Sequence, residues 1–267
     1  MTIANAQPIP LWTGETPGIE SAEPVFEPTI TPYMIESAAP TGCVVICPGG
    51  AYSHRAPHEG EPIALALNDR GIAACVCDYR VAPYQHPHPL LDAQRTIRWV
   101  RANAEEFNVN PAAVGILGFS AGGHLASSAG THYDTGRADG DEIDRESCRP
   151  DAMVLCYPVI SFGEFGHRGS MKNLLGEDPP EELVQSLSNE TQVTADTPPT
   201  FLWHTANDPG VLVENSLHFA QALSAHKVAH ELHVYRSGRH GLGLALEFPH
   251  IATWMDLCGE WLKEVGF

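Results

Sequence analysis

Six short apolar or mostly apolar runs recur along the chain, and they limit it to one kind of architecture. They occupy residues 43–47, 72–77, 114–117, 153–157, 200–204 and 231–235. Segments with helical spacing lie between them. Residues 60–70 read as a helix, and residues 90–107 as a second. In the second, Leu90, Ala93, Ile97, Val100, Ala104 and Phe107 step by three and four and form one apolar stripe. Residues 213–226 form another, with Leu217, Ala220 and Leu223 expected inward, and residues 249–264 close the chain. Strands that are apolar throughout need cover on both faces, and strand–helix alternation needs crossover connections. The expected fold is α/β: a doubly wound, mostly parallel sheet with helices on both faces.

A chain of 267 residues with 43% hydrophobic residues can bury a sizeable core. We read residues 1–267 as a single domain. The first 40 residues carry seven prolines and are expected to add extended strands and turns at a sheet edge. Residues 158–198 break the alternation and are expected to form a short cap insertion above the site. The acidic residues 139–144 read as a solvated loop.

The stretch Gly118-Phe119-Ser120-Ala121-Gly122 follows one apolar run and precedes a segment of small residues, Gly123 to Ala129. On its own this pattern fits any tight strand-to-helix turn. Between a strand and a helix it reads as a nucleophile elbow. The corner leaves no room for side chains two residues either side of the serine, and the helix start points free N–H groups at it. A serine hydroxyl becomes nucleophilic only when a base takes its proton and an acid orients that base. Two loops after later strands can supply these groups. Thr205-Ala206-Asn207-Asp208 follows run 200–204, and the loop around His240 follows run 231–235. Asp208 is preferred to Asn207, which lacks charge, and to Asp196, which precedes its strand. Run 43–47 leads into Pro48-Gly49-Gly50-Ala51-Tyr52, a turn bare enough for backbone N–H groups to face a developing oxyanion. Gly50, Ala51 and Ala121 are the expected donors. Tyr52, His54 and Arg55 are candidates for the substrate pocket; Glu59 and Glu61 are within reach of substrate hydroxyls, but the preferred reading is that they cap or start the following helix. His204 reads as satisfied in the core or lining the site, and Trp203 as core.

Fifteen basic against 33 acidic residues leave a charge of −18. Such a surface repels phosphate backbones and anionic lipid, so nucleic acid and membranes are not expected partners, and neutral substrates suit it. No apolar run approaches the roughly 20 residues of a membrane span. The N-terminus shows no leader pattern, and cytoplasmic localisation is expected. Seven cysteines fall mainly within apolar runs and read as small buried hydrophobes in a reducing compartment. No metal site is expected, since Cys75 and Cys77 lack a second ligand pair. His86 and His88 read as a turn.

These residues together resemble the α/β-hydrolase superfamily over nearly the whole chain. The resemblance extends to its small serine esterases of the hormone-sensitive-lipase and dienelactone-hydrolase-like groups. Asp78-Tyr79-Arg80-Val81-Ala82-Pro83, Pro89-Leu90-Leu91-Asp92 and the following helix match their middle section. Pro48 to Tyr52, His58-Glu59-Gly60-Glu61, Val213-Glu214-Asn215-Ser216 and His240 to Ala245 resemble the acetylxylan-esterase-like branch. The resemblance implies the α/β-hydrolase fold and a carboxylesterase, with a Ser120–His240–Asp208 triad and no cofactor. It would act on short acyl esters, such as the acetyl groups of xylo-oligosaccharides. Two positions depart from the family pattern. Pro48-Gly49-Gly50-Ala51 stands where lipases have His-Gly-Gly-Gly, and Val211-Leu212 stands for the usual Val-Pro after the acid loop. An arylformamidase or small peptidase on the same residues, and a noncatalytic binding protein of the same fold, are the alternatives. A homo-oligomer is compatible with the sequence.

Overall fold

In the computed structural model, which describes residues 6–267, all six apolar runs are strands of one eight-stranded sheet. Residues 1–5, part of the stretch read for a leader, lie outside the described residues. The strands are β1 (Ile9–Pro10), β2 (Thr29–Tyr33), β3 (Thr41–Cys47), β4 (Ala73–Asp78), β5 (Val109–Phe119), β6 (Met153–Cys156), β7 (Thr200–Thr205) and β8 (His230–Tyr235). Their order is β1-β2-β4-β3-β5-β6-β7-β8. From β4 to β8 every pairing is parallel, while β1 and β2 join antiparallel at one edge. The proline-rich start therefore forms the edge expected of it, where a missing N–H costs least.

Each buried strand alternates its side chains between two cores, as the period of two requires. Cys43, Val45, Cys47, Cys75 and Cys77 face one side. There they meet α2 (His88–Ala102), α3 (Ala121–Thr131) and α6 (Glu214–Ala225). Val44, Ile46, Phe119 and Trp203 face the other, against α1 (Glu61–Asn68) and α8 (Trp254–Glu264). Trp203 is fully buried and stacks on Trp254 at 5.2 Å. All seven cysteines are buried and free, and the Cys43 and Cys75 sulfurs lie 3.8 Å apart. Between β6 and β7 the chain forms α4 (Arg168–Leu175) and α5 (Glu181–Ser186).

Several local expectations need correction. Helix α2 ends at Ala102, not at 107. The Asn103 amide donates to the Trp99 carbonyl, and the chain then turns so that Phe107 folds onto Trp99. His88 is the first residue of α2 and not merely part of a turn. In α6, Leu217 is 43% exposed. The helix instead turns Asn215, Ser216, Phe219, Ala220 and Leu223 inward, because the first two serve buried polar contacts. The last helix is two, α7 (Pro249–Ala252) and α8, separated at Thr253, whose hydroxyl donates to the His250 carbonyl. The acidic loop is not simply solvated. Asp141 forms two 2.6 Å bonds with buried Arg95, and Asp144 joins Arg95 to Arg137.

The middle segment that carries part of the family likeness is held by a buried ion pair. Arg80 and Asp92 are both fully buried. The guanidinium donates to Asp92 at 2.8 and 2.7 Å, the Arg80 N–H adds a third bond at 2.9 Å, and the Trp12 indole adds a fourth at 3.2 Å. Burial raises the Asp92 carboxyl despite the Arg80 hydrogen bonds and charge that lower it. This pair locks the end of β4 to the start of α2. Among the described residues no helix is long and apolar enough to cross a membrane, and no three His, Cys, Asp or Glu residues cluster as a metal site. Asp92→Ala leaves a buried guanidinium without its partner, so we expect a loss of about 3–5 kcal/mol in chemical unfolding. A loss below about 1 kcal/mol, typical of an exposed pair, contradicts this account.

Candidate active site

The serine corner is set by backbone crowding. A Cβ on Gly118 would lie 2.0 Å from the Gly122 carbonyl oxygen, and one on Gly122 would lie 2.0 Å from that of Cys47. Glycine at both positions lets α3 start directly against the end of β3. Ser120 takes φ 52, a left-handed value that costs a non-glycine residue of order 1–3 kcal/mol. Its N–H donates to the Cys156 carbonyl and its own carbonyl accepts from Val159, so the corner is pinned to β6 and the segment beyond it.

Asp208 lies just past β7 and His240 just past β8. His240 Nδ1 is 2.7 Å from Asp208 Oδ2, and its Nε2 is 2.7 Å from Ser120 Oγ. Asp208 also accepts at Oδ1 from the N–H groups of Gly210 and Val211. Burial alone would raise the Asp208 carboxyl. The His204 and His240 rings turned towards it, with the Val211 N–H, outweigh burial and hold it well below the usual carboxylate range. His204 Nε2 is 3.6 Å from Asp208 Oδ2 and 3.0 Å from the Val211 carbonyl, to which it donates. Its Nδ1 then accepts from the Ser216 hydroxyl at 2.8 Å. A charged, buried acceptor on Nδ1 leaves Nε2 of His240 free to take the Ser120 proton, which is what general-base activation needs.

Of the two rivals for the acid, Asn207 accepts from the Gly238 N–H at 3.0 Å and so ties the two loops together. Asp196 is exposed, and its carbonyl binds Tyr133 and Arg149. The Gly50-Ala51-Tyr52 stretch runs through three positive φ values, 133, 52 and 58. Here glycine is needed at 50, where a Cβ would meet the His54 carbonyl oxygen at 2.2 Å. The same turn passes close to the serine, since a Cβ on Gly49 would begin 3.0 Å from Ser120 Cβ. Among the described residues no acceptor takes the N–H of Gly50, Ala51 or Ala121.

The three pocket candidates fare differently. Tyr52 is buried, with its hydroxyl 2.8 Å from His124 Nδ1. Arg55 pairs with Asp78, donates to the Tyr79 carbonyl and lies 4.4 Å from the Phe26 ring centroid. Both make bonds within the protein: the buried Tyr52 phenol needs an internal partner, and the partly exposed Arg55 guanidinium is held by Asp78 and the Tyr79 carbonyl. His54 alone is exposed, with Nδ1 3.0 Å from the Ser53 hydroxyl. Glu61 does begin α1, but Glu59 does not act as a helix cap. It is buried, and its carboxylate accepts from the Gly49 N–H at 2.8 Å and the Tyr157 hydroxyl at 2.6 Å.

Other residues around the site were assigned no role from the sequence, although Asn215 lies in the Val213–Ser216 stretch that carries part of the resemblance. Asn215 accepts from the N–H groups of Ile160 and Ser161 and anchors the start of the 158–198 segment to α6. Asn173 of α4 donates to the Ala51 carbonyl, which brings that segment onto the Gly49–Tyr52 turn. His124, one turn into α3, is fully buried. Its Nε2 donates to the Leu187 carbonyl at 2.8 Å, so its Nδ1 accepts from Tyr52.

The fold and this site define an α/β hydrolase with a serine, a histidine and a carboxylate linked in sequence at the carboxyl ends of its strands. Residues 32–223 match the BD-FAE family, and the chain belongs to that family. It is 52% identical to a solved acetyl ester-xyloside bifunctional hydrolase from Caldicellulosiruptor lactoaceticus, with a TM-score of 0.95 over 98% of this chain and 97% of that one. It is 33% identical to an acetylxylan esterase from Xylanibacter ruminicola, over 85% of this chain and 46% of the relative. It is 37% identical to endo-1,4-beta-xylanase B from Butyrivibrio fibrisolvens, over 82% of this chain and 35% of the relative. The chain thus spans less than half the length of these two curated relatives.

Burial pushes the His124 imidazole from 6.5 down to about 3. The unfolded chain takes up this proton near its ordinary value, while the folded chain refuses it until about pH 3. Stability is therefore lost as pH falls from about 6.5 towards 3, by about 1.4 kcal/mol per pH unit once well below 6.5. We expect urea unfolding of His124→Asn to show a shallower loss between about pH 6 and 4 than the wild type. Equal slopes in the two proteins would refute this assignment.

Proposed function

We propose that the protein is a serine carboxylesterase that removes short acyl groups, acetyl above all, from sugar-type alcohols. One observation carries the reading: a single imidazole lies 2.7 Å from both the Ser120 hydroxyl and the Asp208 carboxylate. Ser120 Oγ attacks the ester carbonyl as His240 Nε2 takes its proton. The resulting oxyanion draws on the free N–H groups of Gly50, Ala51 and Ala121, each worth on the order of 3 kcal/mol when lost. Collapse expels the alcohol, which receives the proton from His240, and leaves an acyl group on Ser120. Water, deprotonated by the same imidazole, releases the acid and restores the serine. Asp208 keeps Nδ1 protonated and stabilises the imidazolium throughout.

The substrate class draws on the relatives' names, which speak of acetyl esters and xylan, and on a surface too acidic to welcome polyanions. Residues 158–198 act as the cap in this reading, supported by the Asn173 bond to the Ala51 carbonyl. A reducing compartment such as the cytoplasm suits seven buried, free cysteines.

Ser120→Ala is expected to abolish p-nitrophenyl acetate hydrolysis and fluorophosphonate labelling; full activity in that variant ends the proposal. Asp208→Asn should keep the fold and lower kcat by about 10³- to 10⁴-fold. Acetate release from acetylated xylo-oligosaccharides, compared with simple acetate esters and with an aryl formamide, decides the substrate class. Faster turnover of the formamide, or of acyl chains beyond about eight carbons, redirects it.

A further inference from the structure

The donor loop and the base loop come from opposite ends of the sequence, yet one buried pair of side chains holds both. Glu59 sits in the short 3-10 turn Pro57–Glu59, ten residues past Gly49, and is 2% exposed. Its Oε2 accepts from the Gly49 N–H at 2.8 Å, and its Oε1 accepts from the Tyr157 hydroxyl at 2.6 Å. That hydroxyl in turn accepts from the Gly243 N–H at 2.7 Å, three residues past His240. The Gly243 carbonyl takes the Trp254 indole N–H at 3.1 Å, which ties the base loop to α8. The Tyr157 ring also stands edge-on to the His240 ring, with centroids 5.1 Å apart. Tyr157 itself follows β6 in a left-handed conformation, φ 36.

A carboxylate this deeply buried is costly unless its bonds are made and its charge is matched. Here the donors are neutral. Among the described residues the nearest basic group is the half-exposed His58, whose Nε2 lies 3.6 Å from Glu59 and bonds the Gly241 carbonyl. Burial and the Glu59 charge push the Tyr157 phenol upward, so it remains the donor to Glu59. Simple packing could be served by an apolar pair of the same volume. A charged acceptor reaching two loops at once does something packing cannot: it sets the distance between them.

We propose that Glu59 and Tyr157 are positioning residues that hold the Gly50 and Ala51 donors and His240 in register for the transition state. Neither touches the reacting atoms; both act through Gly49 and Gly243. The inference rests on the esterase reading above. Its signature is a loss in kcat with little change in KM, because the register matters most where the oxyanion and the imidazolium form together.

The test uses Tyr157→Phe, Glu59→Gln and the double variant, with p-nitrophenyl acetate and a trifluoromethyl ketone that mimics the tetrahedral adduct. Tyr157→Phe keeps the ring against His240 and removes only the hydroxyl bridge, so it serves if Glu59→Gln folds poorly. We expect kcat per folded molecule to fall about 10- to 100-fold with KM within about twofold. Affinity for the ketone should fall in step with kcat/KM, and the double variant should lose no more than the worse single one. Folded variants with wild-type kcat, a loss confined to KM, or a loss that merely follows the folded fraction overturns the proposal. A wild-type protein without esterase activity overturns the esterase reading itself, and active wild type with indifferent variants overturns only the positioning role.

Discussion

The contact on which this site depends is the approach of α3 to the end of β3. Gly122 packs so closely on the Cys47 carbonyl that no Cβ fits between them. That approach places Ser120 beside the Gly49–Ala51 turn, where a Cβ on Gly49 would begin 3.0 Å from Ser120 Cβ. It also costs backbone strain, visible in the positive φ values of Ser120, Ala51, Tyr52 and Tyr157. Such strain persists where the surroundings leave no alternative. Here the surroundings are β3, β5 and β6, parallel neighbours at the centre of the sheet, whose side chains fill both cores.

Around this contact the structure buries several polar groups together with their partners. Asp208 has the His240 ring and two N–H groups, His204 has Ser216 and a carbonyl, and His124 has Tyr52 and a carbonyl. Buried polar groups are tolerable when fully bonded and costly when not, so such networks favour one arrangement over its neighbours. In the proposed mechanism this amounts to preorganisation, with the acceptor for the imidazolium and the backbone donors in place before a substrate arrives. The 158–198 segment belongs to the same economy of bonds. Asn215, Asn173 and His124 each tie it to the body beneath, so its placement relative to the serine does not rest on apolar contact alone.

The sequence was legible where chemistry and periodicity act locally. The strand runs, the elbow glycines, and Ser120, Asp208 and His240 could be read because each sits at a fixed offset from a strand end. The cysteines of β3 and β4 and Trp203 were readable as core from their apolar neighbours. Readings failed where a residue's role depends on a distant partner. Glu59 resembled a helix cap because α1 begins two residues later, and only the arrival of Tyr157 from β6 makes it a bridge. The partners of Tyr52 and Arg55, His124 and Asp78, likewise lie outside the turn and were not readable from it. Asp141 and Asp144 looked solvated until Arg95 of α2 was seen to face them. Leu217 looked inward because α6 could be rotated by a residue or two without harm to its apolar spacing, and the polar demands of Asn215 and Ser216 decided the rotation.

The order of elements, the two-sided sheet and the identity of the residues able to do chemistry are properties of the sequence alone, since side-chain period and turn sterics act over a few residues. The convergence of Ser120, Asp208 and His240 within hydrogen-bond reach, the tautomers of His204 and His124, and the bridge from Gly49 to Gly243 were decided by tertiary structure. Those features depend on distances between segments far apart in the chain, Ser120 and His240 being 120 residues apart, and only the packing of the sheet sets such distances.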